Sequence, residues 1–196
     1  MYIRGKITKQ ITNSNLTMNE ILAAGKTILY PTDTVWGIGC DATNSTAVAK
    51  IFKIKQRSES KSLIILVSSQ QMLQYYIPYI SEAELAYLQQ VTTPTTIIYS
   101  HPQHLASNVV AADDTVAIRI VQDTFCQRMI SDFGKPIVST SANLSGEQTP
   151  LYFQMISKKI ISQVDYVVPY RQEEKVIHQP SRLIRFDDQG NIQILR

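Results

Sequence analysis

Three polar segments of this chain each follow an apolar stretch and together carry hydroxyl, amide and cationic side chains. They are YPTDTVWGIGCD at residues 30–41, KQR at 55–57 and STSAN at 139–143. Arginine binds carboxylates and phosphates bidentately, whereas lysine supplies a movable point charge. Hydroxyl and amide groups bind phosphate or ribose oxygens. The combination predicts a site that holds an anionic nucleotide beside a small polar substrate.

Lys55 and Arg57 also have a purely structural interpretation. Both come at the end of an amphipathic helical pattern, where cations on a solvated face interact favourably with the helix C-terminus. Two cations one residue apart could equally clamp a carboxylate and a polyphosphate. The pair alone favours the structural interpretation, and its combination with the other two segments favours binding.

The other two segments each follow a predicted strand. Segment 139–143 begins where a buried strand is expected to end, and ligand sites of open α/β sheets gather at such strand ends. A turn that caps the next helix would explain the same residues. Thr32 and Thr34 lie on one side of the chain if their segment stays extended. Asp33 is also typical of a turn in which the side chain caps its own backbone.

Alternating strand and helix signals predict a layered α/β fold with a twisted mixed sheet flanked by helices. Capping boxes at Thr17/Glu20 and Ser81/Glu84 each predict the start of a helix. Further helices are predicted at 44–55, 123–133 and 152–163. Strands are predicted at 27–30, 63–67, 95–99, 115–120, 136–140, 166–168, 182–186 and 191–195. Gly37 and Gly39 interrupt a further apolar segment, which indicates tight backbone geometry or a closely approaching ligand.

Composition narrows the class of protein. The 196 residues, 44% hydrophobic and 18% charged, predict one globular domain spanning 1–196 with a sizeable core. No apolar run reaches the ~20 residues that a membrane-spanning helix needs. The N-terminus lacks the apolar core of a secretory signal, so we expect a cytoplasmic protein without membrane contact. Cys40 and Cys126 are too few for a disulfide framework or metal cluster, and both are expected to be buried.

Several catalytic motifs are missing from the sequence. It contains neither a P-loop nor the glycine-rich turn of dinucleotide-binding folds. No Ser-His-Asp or Cys-His arrangement is indicated. An enzyme with this set of residues would therefore work mainly by positioning its substrates and stabilising charge.

The three segments resemble, in order and spacing, those of the YrdC/TsaC family of threonylcarbamoyl-AMP synthases. The resemblance runs from about Ile21 to the C-terminus and includes VAIR, GKPIVSTSANLSG and PSRLI. It implies the short, single-domain YrdC-like form. It also implies a reaction in which L-threonine, bicarbonate and ATP give threonylcarbamoyl-AMP and pyrophosphate. Partner proteins of a transfer complex then move the threonylcarbamoyl group to an adenosine beside the tRNA anticodon.

The resemblance further implies roles for individual residues. Lys55 and Arg57 match the family's K-x-R pair and would be catalytic, neutralising the ATP phosphates together with Mg²⁺. Ser141 and Asn143 match its S-x-N pair, and Thr32 lies in its substrate-binding turn. No metal site made by protein ligands is implied, because Mg²⁺ would arrive with ATP. Further substrate- or nucleotide-binding positions are implied at Tyr30, Thr34, Lys61, Thr96, Arg119, Ser139, Ser181 and Arg196.

The chain departs from the family pattern at three places. Segment 91–96, VTTPTT, replaces a Trp-Pro-Gly-Pro-x-Thr segment, Leu66 replaces a histidine of some relatives, and Val121 replaces a proline. These departures are expected to change substrate affinity more than the reaction that is catalysed. Two alternatives are a divergent YciO-type paralogue and a double-stranded RNA-binding module without synthase activity. The intact Ser141 and Asn143 favour the synthase, and a formal net charge of only +3 disfavours a main role in RNA binding, though not direct tRNA contact.

Overall fold

The computed structural model of the protein describes residues 16–57 and 63–196. Within these ranges the chain forms six α-helices and nine β-strands. The helices are α1 Met18–Ala23, α2 Ser45–Lys55, α3 Gln70–Tyr76, α4 Glu82–Gln90, α5 Thr124–Phe133 and α6 Lys158–Gln163. The strands are β1 Ile28–Tyr30, β2 Gly37–Gly39, β3 Ile64–Val67, β4 Thr95–Ser100, β5 Thr115–Ile120, β6 Ile137–Ser141, β7 Tyr166–Val167, β8 Arg182–Phe186 and β9 Ile192–Ile194.

All nine strands join one sheet in the order β7-β1-β2-β6-β3-β5-β4-β8-β9. The pairs β1–β7, β3–β5 and β4–β8 are parallel, and the other neighbouring pairs are antiparallel. The predicted α/β fold with a mixed sheet is therefore confirmed. Because strand order differs from chain order, segments far apart in sequence become neighbours in the middle of the sheet.

The helix ends confirm most of the local signals. Thr17 and Glu20 form both bonds of a capping box, as do Ser81 and Glu84. Helix α5 is capped by the Asp123 side chain at its start and closes at Gly134. Gly134 adopts φ 75°, the left-handed conformation that commonly ends a helix.

One helix prediction was wrong, and one helix was missed. The predicted helix 152–163 is broken into a short 3-10 turn at Phe153–Met155 and helix α6. Ser157 is extended and its side chain accepts a hydrogen bond from the backbone N–H of Ile160, so it starts a new helix. Helix α3 was not predicted, and it begins with the same kind of cap at Ser69.

The two faces of the sheet are covered differently. Alternate strand residues such as Ile65 and Val138 pack with the apolar side of α2 in one continuous core. On the other face Leu66 and Ile137 pack in a second core with residues of α1 and α5. This second core covers only part of its face. The remaining part forms the floor of a cavity.

Candidate active site

The cavity floor is a row of paired residues that crosses four strands. Ile98 pairs with Ala117, Ala117 with Ile64, and Ile64 with Ser139. These residues line a cavity of about 400 Å³, which is within the range of small-molecule binding sites. The row joins β4, β5, β3 and β6, so the sheet order, and no single motif, creates the site.

The charged side chains around the cavity favour an anionic ligand. Three arginines line it, namely Arg57, Arg119 and Arg196, and no Asp or Glu is among the described residues of its wall. Hydroxyl groups supply neutral hydrogen-bonding partners around these cations, from Thr34, Thr115, Ser139, Thr140, Ser141, Thr149 and Ser181. Burial lowers the pKa of the Arg57 guanidinium, but an arginine remains charged at any physiological pH. Guanidinium groups among hydroxyls suit phosphate and carboxylate ligands.

Lys55 lies behind the cavity wall, and its solvated-face interpretation is wrong. The side chain is only 1% exposed. Its Nζ donates to the backbone oxygens of Ser141 at 2.5 Å and Asn143 at 2.7 Å. Burial lowers the pKa of the Lys55 ammonium to about 8, and the charge of Arg57 lowers it further while Glu147 opposes the shift. Lys55 thus joins the end of α2 to the segment that carries Ser141 into the cavity wall.

The segment after β6 is held by its own side chains as well. Asn143 donates from Nδ2 to the backbone oxygens of Leu144 at 2.8 Å and Glu147 at 2.9 Å. The backbone N–H of Ser145 donates to the Lys55 oxygen at 2.8 Å. The Asn143 Oδ1 is buried and has no hydrogen-bond partner among the described residues. A buried acceptor in this state is uncommon and calls for a donor from water or a ligand.

Arg119 is anchored by the turn after β1. It is 3% exposed, and its Nη1 donates to the carboxylate of Asp33. Its Nη2 donates to Thr34 Oγ1 at 3.3 Å. The carboxylate of Asp33 also accepts from the backbone N–H of Gln122 at 3.4 Å, so the interpretation of Asp33 as a cap of its own backbone is wrong.

The far wall is held together by a buried hydroxyl pair. Thr96 Oγ1 and Ser181 Oγ lie 2.8 Å apart, and both residues are buried. Arg196 donates from Nη2 to the backbone oxygen of Ser181 at 3.3 Å. This contact brings the guanidinium to the cavity, although the residue is exposed. Thr96 therefore supports Ser181, and Ser181 and Arg196 line the cavity.

Tyr30 lies beneath the site in the second core. Its side chain is fully buried, and burial raises the pKa of its hydroxyl. The ring crosses β2 at its two glycines. A Cβ on Gly39 would lie 2.6 Å from the Val138 oxygen and 2.7 Å from the Tyr30 ring, and a Cβ on Gly37 would lie 3.0 Å from Ser139 Oγ. The close approach indicated by these glycines is thus made by a tyrosine of the protein itself.

Gly39→Ala is expected to destabilise the protein by about 2 kcal/mol, because a methyl group there overlaps a strand backbone atom. Gly37→Ala is the matched control, since its nearest neighbour is a hydroxyl that can rotate away. Urea unfolding of both variants measures the difference. Equal losses in the two variants would contradict the tight packing of Gly39 against the Val138 oxygen and the Tyr30 ring.

The structure brings most of the residues predicted for the site together, and the assignment of their roles stays a prediction. Those lining the cavity are Thr34, Arg57, Arg119, Ser139, Ser141, Ser181 and Arg196. Four lie behind its wall, namely Tyr30, Lys55, Thr96 and Asn143. Thr32 lines a smaller neighbouring cavity, which shares Thr34 with the main one. Lys61 lies outside the described residues. Thr140 lay within the polar segment 139–143 but received no role of its own. The sequence did not single out Thr115 or Thr149, and only the spacing of Thr115 from Arg119 along β5 could have indicated Thr115.

Other expectations about the chain concern metals, thiols and membranes. Cys40 and Cys126 are buried free thiols, as predicted. Across residues 16–57 and 63–196, no group of three His, Cys, Asp or Glu side chains could hold a metal ion. In the same ranges no helix has the length and apolar character needed to cross a membrane.

Comparison with known proteins identifies the family. A sequence model of the Sua5/YciO/YrdC family, described as "Telomere recombination", matches residues 20–196. The chain belongs to this family. The family assignment suggested by the three polar segments is thereby confirmed.

Two curated relatives are threonylcarbamoyl-AMP synthases. A threonylcarbamoyl-AMP synthase of Vibrio campbellii is 33% identical over 183 residues, which cover 90% of this chain and 95% of the relative. A threonylcarbamoyl-AMP synthase of Pseudoalteromonas translucida is 36% identical over 154 residues, 75% of this chain and 80% of the relative.

Solved structures of Sua5/YciO/YrdC proteins share the fold. P. abyssi Sua5, in a complex with L-threonine, matches with a TM-score of 0.78 at 24% identity over 91% of this chain. The chain spans about half of that protein, 52% of its length. E. coli YciO matches with the same TM-score at 21% identity and is covered over 87% of its length. At these identities the likeness concerns the fold.

Proposed function

We propose that the protein is an L-threonylcarbamoyladenylate synthase, which forms threonylcarbamoyl-AMP and pyrophosphate from L-threonine, bicarbonate or carbon dioxide, and ATP. The observation that carries the proposal is one cavity lined by three arginines and many hydroxyls, with no Asp or Glu side chain among the described residues of its wall. The identity of 33% with a synthase over 90% of the chain supports the same function.

The reaction needs no protein nucleophile. The amine of threonine adds carbon dioxide to form a carbamate, and a carbamate oxygen then attacks the α-phosphorus of ATP as pyrophosphate leaves. Phosphoryl transfers of this kind depend on positioning and on neutralising charge. Arg57 and Arg119 would provide the charge within the cavity. Ser139 and Ser141 would orient the substrates by hydrogen bonds.

Mg²⁺ would enter this site with the nucleotide. The described residues of the cavity wall include no Asp or Glu side chain, the groups by which proteins usually bind Mg²⁺. The ATP phosphates would therefore hold the ion, which would reduce their negative charge. The arginines would contact phosphate oxygens that do not bind the ion. The protein's own part is to hold the guanidinium and hydroxyl groups in place.

Pyrophosphate release tests the proposal. The purified protein is incubated with ATP and Mg²⁺, with and without L-threonine and bicarbonate. Release that requires both additions supports the synthase. ATP binding without release would favour a divergent YciO-type paralogue. Failure to bind ATP, combined with RNA binding that weakens steeply with salt, would favour the RNA-binding module.

Asn143→Ala is expected to weaken ATP binding about tenfold, since it releases the backbone of Leu144 and Glu147 and removes the buried Oδ1. Isothermal titration calorimetry with ATP measures the change. Asn108→Ala is a suitable control, because that side chain also has a buried oxygen without a partner among the described residues. Its amide donates to the Ser45 oxygen at the start of α2, so it does not hold the segment that follows β6. Unchanged ATP affinity in the Asn143 variant would count against its role.

Downstream partners follow from the chemistry of the product. Threonylcarbamoyl-AMP is a mixed anhydride, and water hydrolyses such compounds. A partner that takes the threonylcarbamoyl group directly, as in a tRNA-modifying transfer complex, would avoid this loss. The mildly basic charge of the chain is compatible with a weak, direct contact to tRNA.

A further inference from the structure

Asp33 is the acidic partner of the most deeply buried arginine of the cavity. Its carboxylate accepts from Arg119 Nη1 and from the backbone N–H of Gln122. Arg119 lies on β5, whereas Asp33 lies in the turn between β1 and β2, which joins the sheet several strands away. The ion pair therefore connects two distant strands across the face that carries the cavity. Asp33 itself does not line the cavity.

The hydroxyl protons around Arg119 can be assigned from their contacts. Thr32 Oγ1 lies 2.7 Å from the Val35 oxygen, which is only an acceptor, so Thr32 donates its one proton there. Thr34 Oγ1, 3.0 Å from Thr32 Oγ1, must then donate to Thr32. It has lone pairs left, and it accepts from Arg119 Nη2. The chain of hydrogen bonds has one direction, from Arg119 through Thr34 and Thr32 to Val35.

These contacts leave one edge of the guanidinium available. Nη1 is bound to Asp33 and Nη2 to Thr34, but the buried Nε of Arg119 has no hydrogen-bond partner among the described residues. The residue is 3% exposed and lines the cavity. A buried N–H without a partner is costly unless a ligand satisfies it. An oxyanion bound side-on through Nε and the second Nη2 proton would do so.

We propose that Asp33 is a positioning residue for the reaction: its ion pair, together with the Thr34–Thr32 chain, fixes the Arg119 guanidinium so that its Nε edge faces an anionic group of the substrate. This inference rests on the proposed function. The anionic group is either the threonine carboxylate or an ATP phosphate, and both present the same oxygen pair. Without Asp33 the guanidinium rotates away from this orientation, and affinity falls more than turnover.

Steady-state kinetics of Asp33→Asn test the inference, because the amide keeps the size of the side chain and removes its charge. KM for one of the two substrates is expected to rise at least about tenfold while kcat changes less than about threefold. The substrate whose KM rises is the one bound by Arg119. Wild-type KM values for both substrates, or a fall in kcat alone, would overturn the inference.

A double-mutant cycle separates positioning from general structural damage. In an Arg119→Gln background, Asp33→Asn is expected to cause no further rise in KM, because its target is gone. An equal rise in both backgrounds would overturn the inference. If Asp33→Asn does not fold, Thr34→Val replaces it in the same cycle, since this change keeps the ion pair and removes the Thr34–Thr32 chain that fixes Nη2.

Binding measurements keep this test separate from the proposed function. Calorimetric titration of ATP and of L-threonine into wild type and Asp33→Asn needs no turnover. A lower affinity for one ligand in the variant supports the role of Asp33 even if wild type releases no pyrophosphate. Equal affinities in both proteins would overturn that role even if wild type is an active synthase.

Discussion

Replacing Arg57 with alanine is expected to lower threonine-dependent pyrophosphate release at least about 100-fold, the effect of removing a charged donor to a developing anion. Arg57 lines the cavity directly after the left-handed residue Gln56, which ends α2 and turns the chain toward the site. The side chain is only half-buried. Its loss should leave the melting temperature within a few degrees of wild type.

Arg128→Ala is the matched control for this prediction. Arg128 is an exposed arginine on α5 and is absent from the wall of the main cavity. Its variant should keep wild-type rates, so a loss of activity in both variants would indicate an effect of net charge alone. Wild-type rates in Arg57→Ala would contradict the assignment of Arg57 to the catalytic site.

Lys55→Met is expected to lower the same rate at least about 100-fold, although Lys55 lies behind the cavity. Its ammonium holds the backbone of Ser141 and Asn143. A shift of about 1 Å in groups that position a substrate can cost about 100-fold in rate. Unlike Arg57→Ala, this variant should also lose about 2 kcal/mol of stability at neutral pH, because two buried oxygens lose their donor.

The stability loss in Lys55→Met should depend on pH. The pKa of Lys55 is lowered by burial from 10.5 to about 8 in the folded protein. Between these values the unfolded chain binds more protons than the folded one, so the free energy of unfolding of wild type rises with pH. Methionine does not titrate. The stability gap should therefore widen by up to about 3 kcal/mol between pH 7 and pH 10.5.

Urea unfolding at several pH values measures this gap, with Lys53→Met as the control. Lys53 is an exposed lysine in the same last turn of α2. Its variant should follow wild type at every pH. A gap for Lys55→Met that stays constant or narrows as pH rises would contradict a buried, charged Lys55 at neutral pH.

Local sequence signals predicted the ends of helices well where a single capping residue sets the end. The capping boxes at Thr17 and Ser81 and the C-terminal Gly134 act within one helical turn, so they are legible in the sequence. The same reasoning explains the failure at 152–163. The apolar periodicity there predicted one continuous helix, but Ser157 caps the start of a second helix inside that range.

The sequence predicted which segments carry the site residues, but not how the fold brings these segments together. Strand ends carrying Thr34 and Ser141 indicated a ligand site, and both residues line the cavity. The pairing of Asp33 with Arg119, 86 residues apart, depends on the strand order, which no local pattern specifies. Lys55 is similar. In sequence, its position at the end of α2 resembles that of an exposed lysine. In the structure, segment 141–145 covers this end of the helix and buries the side chain.

Product identification by mass spectrometry would show directly whether the protein is a synthase. The protein is incubated with ATP, Mg²⁺, L-threonine and isotopically labelled bicarbonate, and the quenched mixture is searched for threonylcarbamoyl-AMP. We expect an adenylate that contains threonine and carries the bicarbonate label, formed by wild type and nearly absent with Arg57→Ala. Active turnover of ATP without such an adenylate, or an adenylate lacking the label, would contradict this expectation.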